Sequence, residues 1–216
     1  MRTGSRQRRQ ADLRAFRGIG VSLLVVVAWL LGGLLGSAGA DPPALAVGDL
    51  LVARPALPDP NFRDTVVLLL AYDAEEGAAG VIVNRPGDRR VGEVVSESSP
   101  LAAREDVLYI GGPVAPSAML VLVRGDRAPA GEATRILPGV LLIDGSEALE
   151  ALRSSRVPPS EVRFYGGYAG WSPGQLEAEI GRGDWHLARG DASWVFTSRP
   201  ETAWESLTRF LLGPRA

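Results

Sequence analysis

Residues Leu50 to Pro86, LLVARPALPDPNFRDTVVLLLAYDAEEGAAGVIVNRP, hold three apolar runs in 37 residues, punctuated by Pro55, Pro58, Pro60, Gly77, Gly80 and Pro86. Short apolar runs bounded by such residues read as strands. The first is Gly48 to Ala53, stopped by Pro55. The second, Thr65 to Ala71, is almost continuously apolar, the pattern of a strand buried on both faces. The segment Ala56 to Asp64 between them is a loop shaped by Leu57-Pro58-Asp59-Pro60. A turn over Tyr72 to Ala79 leads to a third strand, Gly80 to Asn84, ended by Pro86.

The rest of the chain alternates less regularly. Val91 to Ser98 and Glu147 to Arg153 have helical spacing of apolar residues. Val107–Ile110, Ala118–Val123, Gly139–Ile143 and Val162–Tyr168 read as strands, and so do Trp185–Ala188 and Trp194–Thr197. Ser172, Pro173 and Gln175 form a capping box for a helix stopped by Gly181. Ser198 caps a last helix, whose inner stripe is Trp204, Leu207, Thr208 and Leu211. Strands and helices mixed without strict βαβ repetition indicate one α+β domain with a mixed sheet, over residues 41–216.

The N-terminus has a different character. Residues 1–17 carry six Arg and one Asp, and residues 18–40 carry no charge. The order of an Arg-rich segment, an apolar run and Ala38-Gly39-Ala40 is that of a secretory signal peptide cleaved before Asp41. Retained, the same run is long enough to anchor the chain in a membrane. A third reading starts the protein later, near Val47, and makes it a cytoplasmic regulator. The first two place the domain outside the cytoplasm, in the periplasm or at the envelope.

Composition removes several chemistries. The chain has no Cys, and every one of its 23 basic residues is Arg, so thiolate, Schiff-base and P-loop lysine chemistry are absent. His186 is the only histidine, which excludes a multi-histidine metal site, and no G-x-S-x-G turn accompanies it. Residues 41–216 carry a net charge of −7, a poor start for holding a nucleic-acid backbone. No catalytic residue, metal ligand or cofactor site is assigned, and the expectation is a protein that is not an enzyme.

Two kinds of position remain as candidates for ligand or partner contact. One is the loop Pro58, Asp59, Pro60 and Phe62, with Asn84 and Arg85 closing the third strand. The other is the pair of corners Gly111-Gly112 and Gly166-Gly167, each following a strand. Free amides there could hold an anion, while glycine is equally needed where two backbones pack closely. The Arg-Gly-Asp triplets at Arg124, Arg182 and Arg189 read as turns, and Trp171, Trp194 and Trp204 as core.

Five ordered blocks carry a family resemblance. They are Ala53-Arg54-Pro55-Ala56-Leu57-Pro58-Asp59-Pro60-Asn61-Phe62, Thr65 to Leu69, Gly80 to Pro86, Gly111-Gly112-Pro113-Val114, and Gly166 to Trp171 with Pro173 to Glu177 and Gly183-Asp184-Trp185. Together they make the chain, from about Leu45 to Leu212, similar to the YqgE/AlgH family. The resemblance implies a coiled, forked mixed sheet with flanking helices, and no known catalytic site. One branch of that family is associated with regulation of exopolysaccharide genes, yet nothing here resembles a helix-turn-helix reader. The chain departs from the family at three places, with Arg54 for Met, Asp64 for Arg and Ala71-Tyr72 for a Glu-His pair. Packing blocks that remain while polar positions drift suggest a retained scaffold that binds an unidentified protein or small ligand. The alternative is an enzyme or small-ligand binder built from the Asp59–Phe62 loop and the two glycine corners.

Overall fold

The computed structural model describes residues 45–127, 132–143, 149–150, 152–153 and 157–213. The expected leader over residues 1–40, and much of the helix expected over Glu147 to Arg153, lie outside them. Among the described residues no helix is long and apolar enough to cross a membrane.

Ten described strands form one curled sheet. In chain order they are β1 (Leu50–Ala53), β2 (Val66–Asp73), β3 (Gly77–Ile82), β4 (Pro86–Arg90), β5 (Val107–Ile110), β6 (Val114–Arg124), β7 (Ala133–Leu137), β8 (Val140–Ile143), β9 (Val162–Trp171) and β10 (Trp185–Ala188). Their spatial order is β10-β1-β2-β3-β9-β6-β8-β7, with β5 also on β9 and β4 on β5. Only β5 and β9 run parallel, so the sheet is mixed, as expected. The helices described in full are α1 (Val91–Val94), α2 (Gln175–Arg182), α3 (Ala192–Val195) and α4 (Ala203–Leu212).

β9 is where the sheet forks. Its first half pairs with β5 at Phe164 to Gly166, and its last three residues pair with β3. β6 pairs along the other edge of β9, from Val162 to Tyr168. Gly111 stitches the fork, donating its amide to the Gly166 carbonyl and accepting from the Ile82 amide, both at 2.8 Å.

Strand alternation sorts the core into three clusters. Leu50, Val52, Leu68, Leu70 and Val81 face inward with Leu120, Leu122, Leu142 and Tyr165. Val195 and Phe196, with Leu207 of α4, cover that inner face. On one outer flank Leu51, Ala53, Val67 and Leu69 pack under Phe62, Trp171, Trp185 and Leu176 of α2. On the other, Val121, Val123, Val162 and Phe164 pack under Val91 and Leu101. β2 contributes to both faces, and its residues Val66 to Ala71 are all buried, as the apolar run requires. Each such side chain contributes roughly 1.5–3 kcal/mol relative to exposure.

Several expected boundaries move, each for a local reason. The turn after β2 shrinks to Ala74–Glu76, because the Asp73 carboxylate accepts the Glu75 amide at 2.8 Å and the Glu76 amide at 3.2 Å. Pro86 opens β4 rather than ending the region, which an outer strand permits because it needs no donor there. The helix from Val91 stops at Val94 instead of Ser98, since Val95 is extended and Ser96 to Ser99 turn back. β7 was not foreseen, and β6 begins four residues early, with a bulge where Val114 pairs Tyr168 but Met119 pairs Gly166.

Further along, α2 begins at Gln175 and ends at Gly183, not at Gly181. Gly183 has φ +80 and Gly181 is ordinary helix, so only the former can terminate it. Of the expected capping box, the Gln175 side chain does accept the Ser172 amide, at 3.1 Å. The strand expected at Trp194–Thr197 is instead α3, capped by Asp191, which accepts the Ser193 amide at 2.8 Å. A 3-10 turn at Pro200–Thr202, not Ser198, leads into α4, since proline fits a first helical turn.

Candidate functional site

The loop before β2 is a built structure. Asp59 caps the 3-10 turn Pro60–Phe62 by accepting the Asn61 amide at 2.8 Å. Phe62 drops into the outer core, and its carbonyl accepts the buried Thr65 hydroxyl at 2.9 Å. Asp64, with φ +55, then turns the chain into β2. The end of β3 clamps the loop from the side. Asn84 accepts the Val66 amide at 2.7 Å and donates to the Asp64 carbonyl at 2.9 Å. Arg85 donates to the carbonyls of Asn61 and Arg63 at 2.7 and 3.0 Å. Asn84 and Arg85 therefore act on the loop from behind.

In front of the loop lies a cleft of about 180 Å³ between Pro58, Asp59 and Phe62 on one side and α2 on the other. Its back is aromatic. Phe62 and Trp171 lie nearly parallel, 21° apart with centroids at 6.0 Å, and Trp185 stands across both at 70° and 77°. Both indoles donate to one oxygen, Glu179 Oε2, at 2.9 Å each. Gln175, one helical turn earlier, donates to Glu179 Oε1 at 3.0 Å. At the mouth, Arg182 pairs with Asp184 at 2.7 Å across Gly183. Pro113 and Gly170 form the remaining edge.

Of the positions expected from sequence, the structure brings Pro58, Asp59 and Phe62 to the cleft, while Pro60 starts the turn behind them. Gly111, Gly112, Gly166 and Gly167 lie at the fork, and only their neighbours Pro113 and Gly170 reach the cleft. A Cβ on Gly111 would collide with the Gly167 carbonyl, and one on Gly112 with the Tyr168 backbone. Gly167, with φ +72, leaves room for the Gly112 carbonyl and for the β6 bulge. Close backbone packing thus accounts for Gly111, Gly112 and Gly167, while a Cβ on Gly166 would meet the Pro116 carbonyl at 3.3 Å.

Glu179, Gln175, Arg182, Asp184 and Trp185 were not singled out as site residues. The signal was present as the four-residue spacing of Gln175 and Glu179 and the block Gly183-Asp184-Trp185. What sequence lacks is the fold that sets Trp171 beside Trp185.

Of the three places that differ from the expected family pattern, Arg54 and Asp64 flank one end of the β1–β2 pairing, where the Ala53 amide donates to the Thr65 carbonyl, and Ala71-Tyr72 lies toward the other end of β2. Arg54 lies over Gly183, and the His186 pKa is lowered by burial first and then by the Arg54 charge. Ala71 is core, and Tyr72 donates to Glu177 at 2.6 Å. Burial first, then that bond, pushes the Tyr72 phenol up to about 12.

The family model described as AlgH-like matches residues 50–215. A UPF0301 protein of Streptomyces coelicolor is 41% identical over 168 residues, 75% of this chain and 84% of the relative. A UPF0301 protein of Methylococcus capsulatus is 44% identical over 163 residues, 73% and 87% of the two chains. Among solved structures, the solution structure of the AlgH protein from Pseudomonas aeruginosa superposes with a TM-score of 0.64 at 26% identity, covering 82% of this chain and 94% of that one. A crystal structure of a Corynebacterium diphtheriae protein gives the same TM-score at 27% identity, covering 79% and 90%.

Proposed function

This chain belongs to the AlgH-like family, and from that premise we propose that it is a non-enzymatic binding module of the cell envelope, seating a projecting group of a partner protein in the cleft between Pro58 and α2. One observation carries the reading. The carboxylate at the centre of the cleft, Glu179, is already committed to three neutral donors, Trp171, Trp185 and Gln175. A general acid or base needs an open position toward the reacting atom, and three donors already take most of this carboxylate's acceptor sites to hold the walls. No Ser, Thr, Tyr or His is among the residues that line the cleft, so it offers no hydroxyl or imidazole nucleophile. The volume is below the roughly 300 Å³ at which pockets for drug-sized ligands begin, and suits one side chain. The envelope address rests on the order of charge, apolarity and small residues in positions 1–40.

Photo-crosslinking in the native host tests the reading. A photoreactive residue at Gln175 is expected to give a discrete adduct, and one at Glu205 on α4 none. Equal labelling from both positions, or turnover of a metabolite by the pure domain, would overturn it.

A further inference from the structure

Resting on the binding reading above, we infer that the cleft is selective for a cationic group of one side chain's size, an ammonium or guanidinium presented by the partner. Three features argue this together. The first is shape, since the cleft of about 180 Å³ admits a single unbranched side chain. The second is charge. Asp59, Glu179 and Asp184 line the cleft against Arg182 alone, and Arg182 is already paired with Asp184 at 2.7 Å. Asp59 spends only Oδ1 on its turn, and among the described residues Oδ2 has no partner.

The third is the aromatic back. Phe62, Trp171 and Trp185 give the apolar stem of a long cationic side chain a wall to pack against while its head stays among the carboxylates. An anion entering the cleft would meet two carboxylates that no cation pairs. A neutral group would gain only burial. A long cationic side chain gains the carboxylates for its head and the aromatic wall for its stem. None of this needs Glu179 to move, because hydrogen-bonded carboxylate oxygens keep lone pairs and full charge.

The experiment follows the indole N–H resonances of Trp171 and Trp185 in the intact domain during titration with acetyl-Gly-Lys-Gly-amide, its norleucine analogue and n-butylammonium. The lysine peptide is expected to shift both resonances saturably, and the norleucine peptide to leave them unmoved. Tighter binding of the peptide than of butylammonium identifies a protein side chain as the source; equal binding supports the cation and assigns it to free amines.

Two variants fix the sign. Asp59→Asn keeps the cap, since Asn caps as well as Asp, and is expected to weaken lysine-peptide binding about threefold. Arg182→Gln frees Asp184 and is expected to strengthen it by about the same factor. A fold defect would weaken both. Equal binding of the norleucine peptide overturns the cation and leaves the binding reading standing. If no probe moves either resonance, the cation is overturned, and crosslinking decides the binding reading by itself.

Discussion

The Asn84 side chain accepts the Val66 amide at 2.7 Å, across eighteen residues of sequence. That one bond fixes where the loop ends and β2 begins. Replacing Asn84 with Ala leaves a buried amide and the Asp64 carbonyl without their partner. A loss of about 2–3 kcal/mol is expected. Chemical denaturation measures it. Asn84→Asp should cost less than Ala if acceptance by Oδ1 dominates.

Glu179 holds two indoles at once, so its removal should be felt in both. Glu179→Leu is expected to cost on the order of 2–3 kcal/mol and to shift both indole N–H resonances upfield as their acceptor disappears. Glu179→Gln keeps an acceptor and should retain more than half of that stability. Two-dimensional NMR with urea melts separates the two effects.

The glycines divide by what surrounds them. Gly111→Ala and Gly167→Ala place a methyl group against carbonyl oxygens of the fork and should prevent soluble folding. Gly181→Ala, inside α2 with nothing within 4 Å, should stabilise by about 0.5–1 kcal/mol. Soluble yield of the two fork variants, and a thermal melt of Gly181→Ala beside the parent protein, check this.

The Tyr165 hydroxyl is fully buried and, among the described residues, has no hydrogen-bond partner. Burial raises its pKa, which keeps it neutral and a donor in search of an acceptor. Tyr165→Phe should therefore raise stability, by on the order of 1 kcal/mol. A destabilised variant would reveal an ordered water as the missing partner.

His186 supplies the pH dependence near neutrality. Burial, and then Arg54, lowers its folded pKa below the ordinary value of 6.5. The unfolded chain then binds a proton more readily than the fold between those two values, so stability falls as pH drops below about 6.5 and levels off below the folded pKa. His186→Asn should flatten Tm between pH 7 and 5. Arg54→Met should flatten it in part, by removing the nearby charge.

How much of this was legible depended on the kind of signal. β2 was plain because an uninterrupted apolar run from Val66 to Ala71 has one comfortable place, inside a sheet with both faces covered. The five blocks carried the coiled, forked sheet. β7 was missed because Ala133-Thr134-Arg135 is polar at its open end and is held by pairing with β8, a tertiary fact. α3 was misread because Trp and Val favour strands, while the Asp191 cap that overrides them is one residue. The loop was recognised as special, but its partner was not. Trp171 and Trp185 belong to β9 and β10, strands separated in the sheet by β3, β2 and β1. Only the curl of those strands and the insertion of Phe62 bring the two indoles to one carboxylate.

The fork at β9 also dictates an order of assembly. A ribosome delivers β3, β5 and β6 well before residues Val162–Trp171 that join them. Until then the meander β1-β2-β3 and the hairpin units after it are separate pieces with unpaired edges, the kind that adhere to other chains. Pairing over such sequence distance is slow. β9 is in effect a late clasp, so a nascent chain stalled before Trp171 should be held by chaperones, and the pieces of the sheet should join only once that strand emerges.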